Sequence, residues 1–397
     1  MRIAFYAPMK PPDHPVPSGD RRMAGLLMAA LRRAGHQPVL ASRLRTWTGD
    51  EGMAGAASRA VLRLKSAEQA AALVRRWRDA ADRPDLWFTY HLFHKAPDGI
   101  GPVVARELAI PYVVAEASVA PKRRTGPWAA GHAAVVAALG QAAAVIALNP
   151  ADRACVLPCL ADGRRLYDLP PFLDARPYVA ARRRRAAGRA RLATAHALDP
   201  ATPWLIAVAM MRPGDKLASW RLLAKALLPL ATPAAQAPAW HLLAVGDGPA
   251  GEAVRRLFRP LARHMVWLGQ QPEDALPDLY AASDLCVWPA INEAWGMALL
   301  EAQASGVPVL AGDAGGVPAV VHDGATGRLV PVGDAAAFAH ALRHLLQDSD
   351  ERARLAAGAR RLTGRRHGLA GAARRLDHIL ARALVRASAR TPRGMGR

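Results

Sequence analysis

The sequence has few cysteines and no long apolar run. Its 397 residues include three cysteines, Cys155, Cys159 and Cys286, without the spacing of a zinc site. This odd number argues against a fold built on disulfides and favours a reducing compartment. The longest apolar run, residues 133–148, is interrupted by a Gly-Gln pair and is too short for a bilayer span, and the apolar start is too brief for a signal peptide. We therefore expect a soluble, cytoplasmic protein.

Lysine is also scarce, whereas arginine is abundant. Lysine and arginine total 53, only six of them lysine, against 32 acidic residues, so the formal charge is +21. Residues 351–397 alone hold thirteen arginines and two acidic residues, a formal excess of +11. Such a field indicates an anionic partner, which is nucleic acid, acidic lipid or a phosphorylated substrate. The alternative explanation of this positive charge is a proteome that is rich in arginine throughout. The hydrophobic content of 52% excludes a disordered chain.

Short β-rich runs alternate with Ala- and Leu-rich helical stretches along the chain. The predicted strands of the first half are Ile3–Ala7, Pro38–Ser42, Leu86–His91, Pro111–Ala115 and Ala144–Leu148. Those of the second half are Trp204–Met210, Trp240–Val245, Met265–Leu268, Leu285–Trp288 and Val307–Ala311. This alternation predicts an α/β fold with parallel sheets covered on both faces.

Two such sets predict two doubly wound, Rossmann-like domains that face each other across a cleft. We expect the first domain over residues 1–185 and the second over residues 186–366. A basic helix in residues 367–397 is expected to pack back on the first domain, with residues 391–397 frayed. Ligands of such sheets bind beyond the carboxyl ends of the strands, so the residues that follow strands are the site candidates.

The first candidate loop, Met9–Arg21, carries Gly19 just before a predicted helix. Its prolines and glycine fit a loop that directs backbone N–H groups at an anionic ligand. An ordinary strand-to-helix turn, capped by Ser18 or Asp20, explains the same residues equally well. Both interpretations stay open.

A second candidate loop carries Arg212 and Lys216 after the strand Trp204–Met210. An arginine fork and a lysine point charge on one short turn can hold a diphosphate from two sides. Two cations on a solvated loop are the alternative, and these two residues alone do not decide between them.

The segment Gly246–Gly251 reads G-x-G-x-x-G after a strand, as dinucleotide-binding loops do. That function also requires an acidic residue about 20 positions on, at the end of the next strand. Here the next strand ends at Gly269 and Gln270, and Pro249 disturbs the turn. A nicotinamide-dependent oxidoreductase is therefore a weaker alternative.

The most informative segment is Pro289–Ala302, in which a strand leads into a loop with Glu293 and then into a helix with Glu301. The helix begins near Gly296, so its free N–H groups can bind a phosphate. Each carboxylate can accept hydrogen bonds from a pair of sugar hydroxyls. Two surface glutamates near a helix start, favoured there by the helix dipole, are the alternative.

The second half of the chain resembles the nucleotide-sugar domain of the retaining glycosyltransferases of family 4 (group 1), which have the two-Rossmann type-B fold. The resemblance covers about residues 200–345. Its elements are the Arg212/Lys216 pair, the G-D-G-P turn at Gly246, the E-x7-E pair Glu293/Glu301, the G-V-P-V strand at Gly306, the GG-V-P loop at Gly315 and the D-G-A-T-G-R-L-V hairpin at Asp323. The chain departs from the family in the four-residue Arg-to-Lys interval, in Ala294-Trp295 for Gly-Phe, and in Ala319 for an acid.

The resemblance implies a donor site for a nucleotide-diphosphate sugar. Arg212 and Lys216 would bind the diphosphate, Glu301 the ribose and Glu293 the hydroxyls of the sugar, with Glu293, Arg212 and Lys216 taking part in catalysis. The implied donor-binding set is Gly19, Arg212, Lys216, Gly246, Gly248, Leu268, Glu293, Gly296, Met297, Ala298 and Glu301. The Gly19 loop would cover the pyrophosphate from the first domain.

The resemblance further implies transfer with retention of anomeric configuration, in which the leaving phosphate helps to deprotonate the acceptor. Positions near the reacting centre on the acceptor side would be His91, Glu116 and Ser118. The acceptor is unknown; a lipid-linked molecule or a glycan fits the basic surface.

No cofactor or metal is implied. The D-x-D sequence at Asp348 follows a helical stretch, and we interpret it as a helix end and a new N-cap. Among partners, an anionic membrane at the inner face is the best use of the basic C-terminal segment. A non-catalytic nucleic-acid module is the third alternative, but no basic motif interleaved with aromatics supports it, so no nucleic-acid partner is expected.

Overall fold

The computed structural model describes residues 1–16, 18–232 and 238–390, and these form two compact units. The first unit is Met1–Pro170 together with the C-terminal helix, and the second is Pro171–Gly368. The division thus falls earlier than residue 185, because the helix Arg176–Arg183 packs on the second unit's helix Leu276–Ala282. The expectation of a frayed end concerns residues outside the described ones.

The first unit is a parallel sheet with the strand order β2-β1-β3-β4-β5-β6. The strands are β1 Arg2–Tyr6, β2 Gln37–Ser42, β3 Leu86–Phe93, β4 Tyr112–Ser118, β5 Ala144–Ala147 and β6 Leu166–Asp168. The helices are α1 Gly19–Arg33, α2 Met53–Trp77, α3 Gly101–Glu107, α4 Ala129–Gln141, α5 Arg153–Val156 and, from the chain end, α14 Leu369–Arg390. Helix α14 packs against α1 and β5 of this unit.

The second unit is a parallel sheet with the strand order β12-β11-β10-β7-β8-β9. The strands are β7 Trp204–Val208, β8 His241–Val245, β9 Met265–Gly269, β10 Leu285–Trp288, β11 Val309–Gly312 and β12 Gly327–Val330. The helices are α6 Arg176–Arg183, α7 Arg185–His196, α8 Asp215–Leu227, α9 Gly251–Leu257, α10 Leu276–Ala282, α11 Met297–Ala304, α12 Ala335–Gln347 and α13 Ser349–Arg366.

The fold class is confirmed: both units are α/β, with Rossmann-like parallel sheets. The central strands are buried on both faces; in β10 every residue is buried. Their sequences are therefore continuous apolar runs without alternation of polar and apolar residues. Aromatic pairs fill the cores. The rings of Phe5 and Phe88 stack at 5.6 Å, and Trp220 meets Trp288 edge-on at 5.2 Å.

The expected hairpin at Asp323 is wrong. Residues 323–327 form a tight turn that leads into β12, and β12 pairs in parallel with β11. Gly327 permits this pairing, because a Cβ there would collide with the carbonyl oxygen of Val309.

No helix within the described residues is long and apolar enough to cross a bilayer.

Candidate active site

A lysine and a glutamate meet at the carboxyl edge of the second sheet. Strands β7 and β10 are neighbours, so Lys216, on the first turn of α8, reaches Glu293 in the loop after β10. The Lys216 ammonium donates to Glu293 Oε2, and Trp288 Nε1 donates to the same oxygen at 3.1 Å. The ammonium also lies 5.4 Å from the centroid of the Trp288 ring. The two charged side chains are 20% and 17% exposed, so a ligand can still reach them.

The loop after β10 is fixed to the start of α8. Ile291 N donates to Ser219 Oγ at 3.0 Å, and Asn292 Nδ2 donates to Asp215 Oδ2 at 2.9 Å. Ala290 and Asn292 both have left-handed backbone conformations, with φ of 57° and 51°. Such strain in non-glycine residues persists only where the surroundings impose it, and it is often found at functional sites.

The loop that carries Gly315 and Gly316 packs against the loop that carries Glu293. Gly316 N donates to the carbonyl oxygen of Glu293 at 3.3 Å. A Cβ on Gly315 would collide with that oxygen, and one on Gly316 would collide with the carbonyl oxygen of Ala294. These glycines are therefore required by packing within the domain.

The G-D-G-P turn packs in the same way against the loop that carries Arg212. Met211 N donates to Asp247 O at 2.9 Å, and Ala250 N donates to Met211 O at 2.8 Å. A Cβ on Gly246 or Gly248 would collide with carbonyl oxygens of the loop after β7. The glycine spacing thus has an explanation that needs no dinucleotide. The Arg212 side chain is exposed and makes no hydrogen bond or ion pair with any described residue.

Helix α11 begins at Met297, after Gly296 in the left-handed conformation with φ of 67°. The first N–H groups of a helix have no acceptor inside it, which leaves those of Met297 and Ala298 for a ligand. Glu301, on the second turn, is only 3% exposed. Burial, together with the Glu301 carboxylate, raises the pKa of the Cys286 thiol on β10, so this cysteine is not a nucleophile.

Leu268 lies near the carboxyl end of β9 and is half-buried. Its carbonyl oxygen accepts a hydrogen bond from Gln271 Nε2 at 2.5 Å. The structure therefore brings Lys216 and Glu293 into direct contact, while Leu268 remains a predicted donor contact.

In the first unit, His91 and Glu116 occupy the same rung of two paired strands. The register pairs Tyr90 with Ala115 and Leu92 with Ala117, so the two residues between them are neighbours. Both have left-handed backbones, with φ of 61° and 59°. Conformations of this kind cost on the order of 1–3 kcal/mol each.

Neighbouring carboxylates favour the protonated, positively charged form of the His91 ring. Its Nδ1 lies 2.7 Å from Asp20 Oδ1. Burial disfavours the imidazolium, but the charges of Glu116 and Asp20 outweigh it and raise the pKa of His91 from 6.5 to about 9. Burial also disfavours the ionised form of Asp20. The hydrogen bond with His91 and the His91 charge outweigh burial, so the pKa of Asp20 is lowered.

The three sequence candidates of the first unit thus belong to one cluster. Burial raises the pKa of Glu116, whose Oε2 has no hydrogen-bond partner among the described residues. Burial also raises the pKa of Asp152, against a hydrogen bond with Ser118. Sequence reasoning did not assign Asp20 and Asp152 to this cluster. The signal for Asp20 was its place beside Gly19, but it appeared there as a possible helix cap.

The helix α1 begins at Gly19, inside the predicted loop Met9–Arg21, so that loop is shorter than expected. Ser18 is the N-cap, and its Oγ accepts from Arg21 N at 3.2 Å, which leaves Asp20 for His91. A Cβ on Gly19 would meet nothing within 4 Å in the described chain. No contact with a described residue therefore requires glycine here.

The charged histidine gives the first unit a pH-dependent stability. Its folded pKa of about 9 exceeds the ordinary value of 6.5, so its contribution is complete below about pH 6.5 and is lost as the pH rises through 9. We expect the free energy of unfolding to fall by a few kcal/mol more in the wild type than in His91→Gln over this interval, since one pKa unit is worth about 1.4 kcal/mol. Denaturant titrations at several pH values in this interval measure the free energy of unfolding of both proteins. The exposed control His378→Gln should follow the wild type; equal slopes for His91→Gln and the wild type would refute the assignment.

Among the described residues, no group of three or more His, Cys, Asp or Glu side chains is placed to hold a metal ion. The D-x-D sequence spans the junction of two helices, with Ser349 and Asp350 on the first turn of α13. Asp348 ends α12 and caps α13, where its Oδ1 accepts from Glu351 N at 2.8 Å.

The fold is that of the GT-B glycosyltransferases. The structure of Alr3699/HepE from Anabaena, in complex with UDP, matches 96% of this chain and 100% of that one, with a TM-score of 0.70 at 19% identity. A glycosyltransferase from Rickettsia africae matches 96% of this chain and 98% of that one, with a TM-score of 0.72 at 14% identity. At these identities the likeness establishes the fold.

Residues 202–348, which lie within the second unit, match the family model described as glycosyl transferases group 1. A stretch of 95 residues is 47% identical to the D-inositol 3-phosphate glycosyltransferase of Salinispora arenicola. This stretch is 24% of the present chain and 21% of that relative. The chain spans between 20% and 28% of the length of the curated relatives it matches.

Proposed function

We propose that the protein transfers a sugar from a nucleotide-diphosphate sugar to an acceptor, with retention of anomeric configuration and without a metal ion. The observation that carries this proposal is the contact between Lys216 and Glu293. It places a cation and a carboxylate at the carboxyl edge of the sheet, where this class of fold binds ligands, within the residues that match the group 1 glycosyltransferase family model.

The donor diphosphate would be held by Arg212, through its planar fork, and by Lys216, as a point charge. The N–H groups at the start of α11 add partial positive charge on the same side of the sheet. Glu301 would accept hydrogen bonds from the ribose. Gly246, Gly248 and Leu268 would line the donor side, and Gly19 would contact the diphosphate.

The Lys216–Glu293 contact is a resting arrangement in this proposal. Without a donor, the ammonium neutralises the carboxylate. A bound diphosphate competes for the ammonium, and Glu293 then becomes available to the hydroxyls of the donor sugar. Because Glu293 also accepts from Trp288, it keeps its position during this exchange.

In the reaction, the bond between the anomeric carbon and the diphosphate oxygen breaks, and the electron pair leaves with the diphosphate. The acceptor oxygen forms the new bond on the same face of the sugar, and its proton passes to the leaving phosphate. Arg212, Lys216 and the helix start stabilise the negative charge that develops, which is usually the largest catalytic contribution. On the acceptor side, the charged His91 would donate a hydrogen bond, with Glu116 and Ser118 nearby.

A double displacement like that of a retaining glycosidase, with Glu293 and Glu301 as acid and nucleophile, is disfavoured. In this proposal Glu293 holds the hydroxyls of the donor sugar and Glu301 holds the ribose, so neither carboxylate is free to act as acid or nucleophile.

The proposal is tested by ligand binding and product analysis. Because the HepE structures contain UDP or UDP-glucose, uridine diphosphate sugars are the first donors to examine, beside GDP-mannose and NAD. A ligand at 100 times its Kd adds about 2.7 kcal/mol of stability, which a thermal shift detects. We expect a shift with one nucleotide sugar, in the presence of EDTA, and a product with the anomeric configuration of the donor by NMR. A shift with NAD alone would establish the oxidoreductase instead.

The basic C-terminal helix suggests an acceptor at an anionic membrane. The exposed side of α14 carries Arg374, Arg375 and Arg382, with Asp377 among them. Each arginine near such a surface contributes roughly 1 kcal/mol before screening. We expect the protein to float with vesicles that contain acidic lipid, and the triple Arg→Gln variant to float less. Binding should disappear at about 1 M salt, where the Debye length is about 3 Å. Failure to float at physiological salt would exclude membrane binding.

A further inference from the structure

Four consecutive arginines, Arg182–Arg185, span the junction of helices α6 and α7 in the second unit. The last two of them are ion-paired. Arg184 lies 3.2 Å from an oxygen of Asp278, and Arg185 lies 2.6 Å from an oxygen of Asp284. The first two have no Asp or Glu oxygen within 4.0 Å among the described residues. The charge of the run is therefore only partly neutralised by the chain itself.

A second unpaired arginine lies against the first residue of this run. Helix α13 carries Arg360, which also has no carboxylate oxygen within 4.0 Å in the part of the chain that the structure describes. The side chains of Arg182 and Arg360 pack on the same glycine, because a Cβ on Gly306 would lie 3.1 Å from Arg182 Cδ and 3.2 Å from Arg360 Cδ. Gly306 has a left-handed φ of 78°. The two guanidinium groups are thus brought side by side over one turn of the backbone.

This contact between like charges is unfavourable as it stands. Arg182 is half-buried, and burial, followed by the charges of Arg360 and Arg183, lowers its pKa. The acidic residues that pair with the arginine run do not relieve the repulsion, since Asp278 and Asp284 each already contact two other arginines. An anion from outside the chain would relieve it.

The arginine pair lies at the opposite edge of the sheet from the proposed donor site. Gly306 shortly precedes β11, so it is at the amino edge of the second sheet. Lys216 and Glu293 follow β7 and β10 and lie at the carboxyl edge. A ligand held by the arginine pair would therefore occupy a separate site.

A cavity of about 400 Å³ opens at the same amino edge. The register of β10 and β11 places Asp284, in the cavity wall, beside Val307, which follows Gly306. The cavity can therefore hold the part of a ligand that extends from the arginine pair. Its wall carries a single carboxylate and three arginines, which are Asp284, Arg185, Arg189 and Arg352.

We propose that Arg182 and Arg360 bind a phosphate monoester group, and that the cavity beside them receives the part of the ligand that carries this group. A phosphate monoester has a charge of about −1.5 to −2 at pH 7, which matches the charge of two arginines. Its three terminal oxygens can accept hydrogen bonds from two planar guanidinium forks at once. The site does not depend on the proposed transferase function, because it uses none of the donor residues.

The test is calorimetric titration of the full chain with glycerol 3-phosphate, with glycerol as the control ligand. We expect saturable binding of glycerol 3-phosphate and no binding of glycerol. Arg182→Gln and Arg360→Gln should each weaken this binding about tenfold or more, as the loss of a charge-assisted hydrogen bond does. The matched control Arg365→Gln, an exposed position on the same helix α13, should leave it unchanged. Thermal unfolding checks that all three variants are folded.

Two further measurements locate the site and the source of the phosphate group. Lys216→Met, at the proposed donor site, should bind glycerol 3-phosphate like the wild type. Flotation with vesicles that contain phosphatidic acid separates a lipid head group from a soluble ester. If only the vesicles bind, and binding falls in Arg182→Gln and Arg360→Gln, the ligand is the head group. The proposal is overturned if neither ligand requires these two arginines, or if Lys216→Met removes binding of the ester, since the ester then occupies the donor site.

Discussion

Replacement of Lys216 by methionine is expected to lower kcat for sugar transfer about 100- to 1,000-fold. The ammonium faces the leaving diphosphate in the proposed reaction, and loss of one such preorganised group typically costs about 2.7–4 kcal/mol. Methionine keeps much of the length of the side chain but removes the charge. Because the negative charge develops mainly in the transition state, kcat should fall more than KM rises.

The control for this variant is Lys225→Met. Lys225 lies on the same helix α8, is exposed, and faces away from Glu293 by position in the helix. Its kcat should stay close to that of the wild type. Thermal unfolding of both variants separates catalysis from stability, since Lys216→Met also leaves Glu293 without its ion pair. Equal kcat values in a folded Lys216→Met and Lys225→Met would remove Lys216 from the catalytic residues.

Replacement of Glu301 by alanine is expected to weaken nucleotide binding by about 10- to 150-fold. The carboxylate would accept hydrogen bonds from ribose hydroxyls, and a hydrogen bond to a charged group contributes about 1.5–3 kcal/mol. The effect should appear in the Kd of the nucleoside diphosphate and in KM for the donor. The exposed control Glu252→Ala on α9 should bind the nucleotide normally.

Inorganic pyrophosphate distinguishes ribose binding from a general loss of structure. It retains the diphosphate but has no ribose, so its affinity should be the same in Glu301→Ala and in the wild type. If pyrophosphate binding fell as much as nucleotide binding, Glu301 would have a structural role within the buried part of α11 and no contact with the ribose.

Much of the fold follows from local pattern, because buried parallel strands are apolar runs between helices. The strand Leu285–Trp288 has the predicted bounds, and most others differ by one to three residues at an end. Strands β6 and β12 were missed, since three or four residues with mixed polarity give little periodic signal. The helix α2 begins at Met53, and its exposed first half gives little helical signal in the sequence because it lacks an apolar face.

The candidate site was predictable in its residue types but less so in its contacts. The rule that ligands bind beyond the carboxyl ends of strands identified Lys216 and Glu293 separately. Their direct contact depends on β7 and β10 being neighbours, which the sequence does not reveal for two residues 77 positions apart. Asp20 and His91 are 71 positions apart and meet for a similar reason, through the packing of α1 on the sheet.

The glycines of the G-D-G-P turn couple two loops mechanically. Since Gly246 and Gly248 lie against carbonyl oxygens of the loop after β7, and Met211 hydrogen-bonds to the turn through both its N–H and its C=O, neither loop can open alone. Local opening would be a single cooperative event, in which hydrogen exchange of the Met211 and Ala250 amides reports the same free energy of opening. The position of Arg212 is then governed by the stability of a turn more than thirty residues further along the chain.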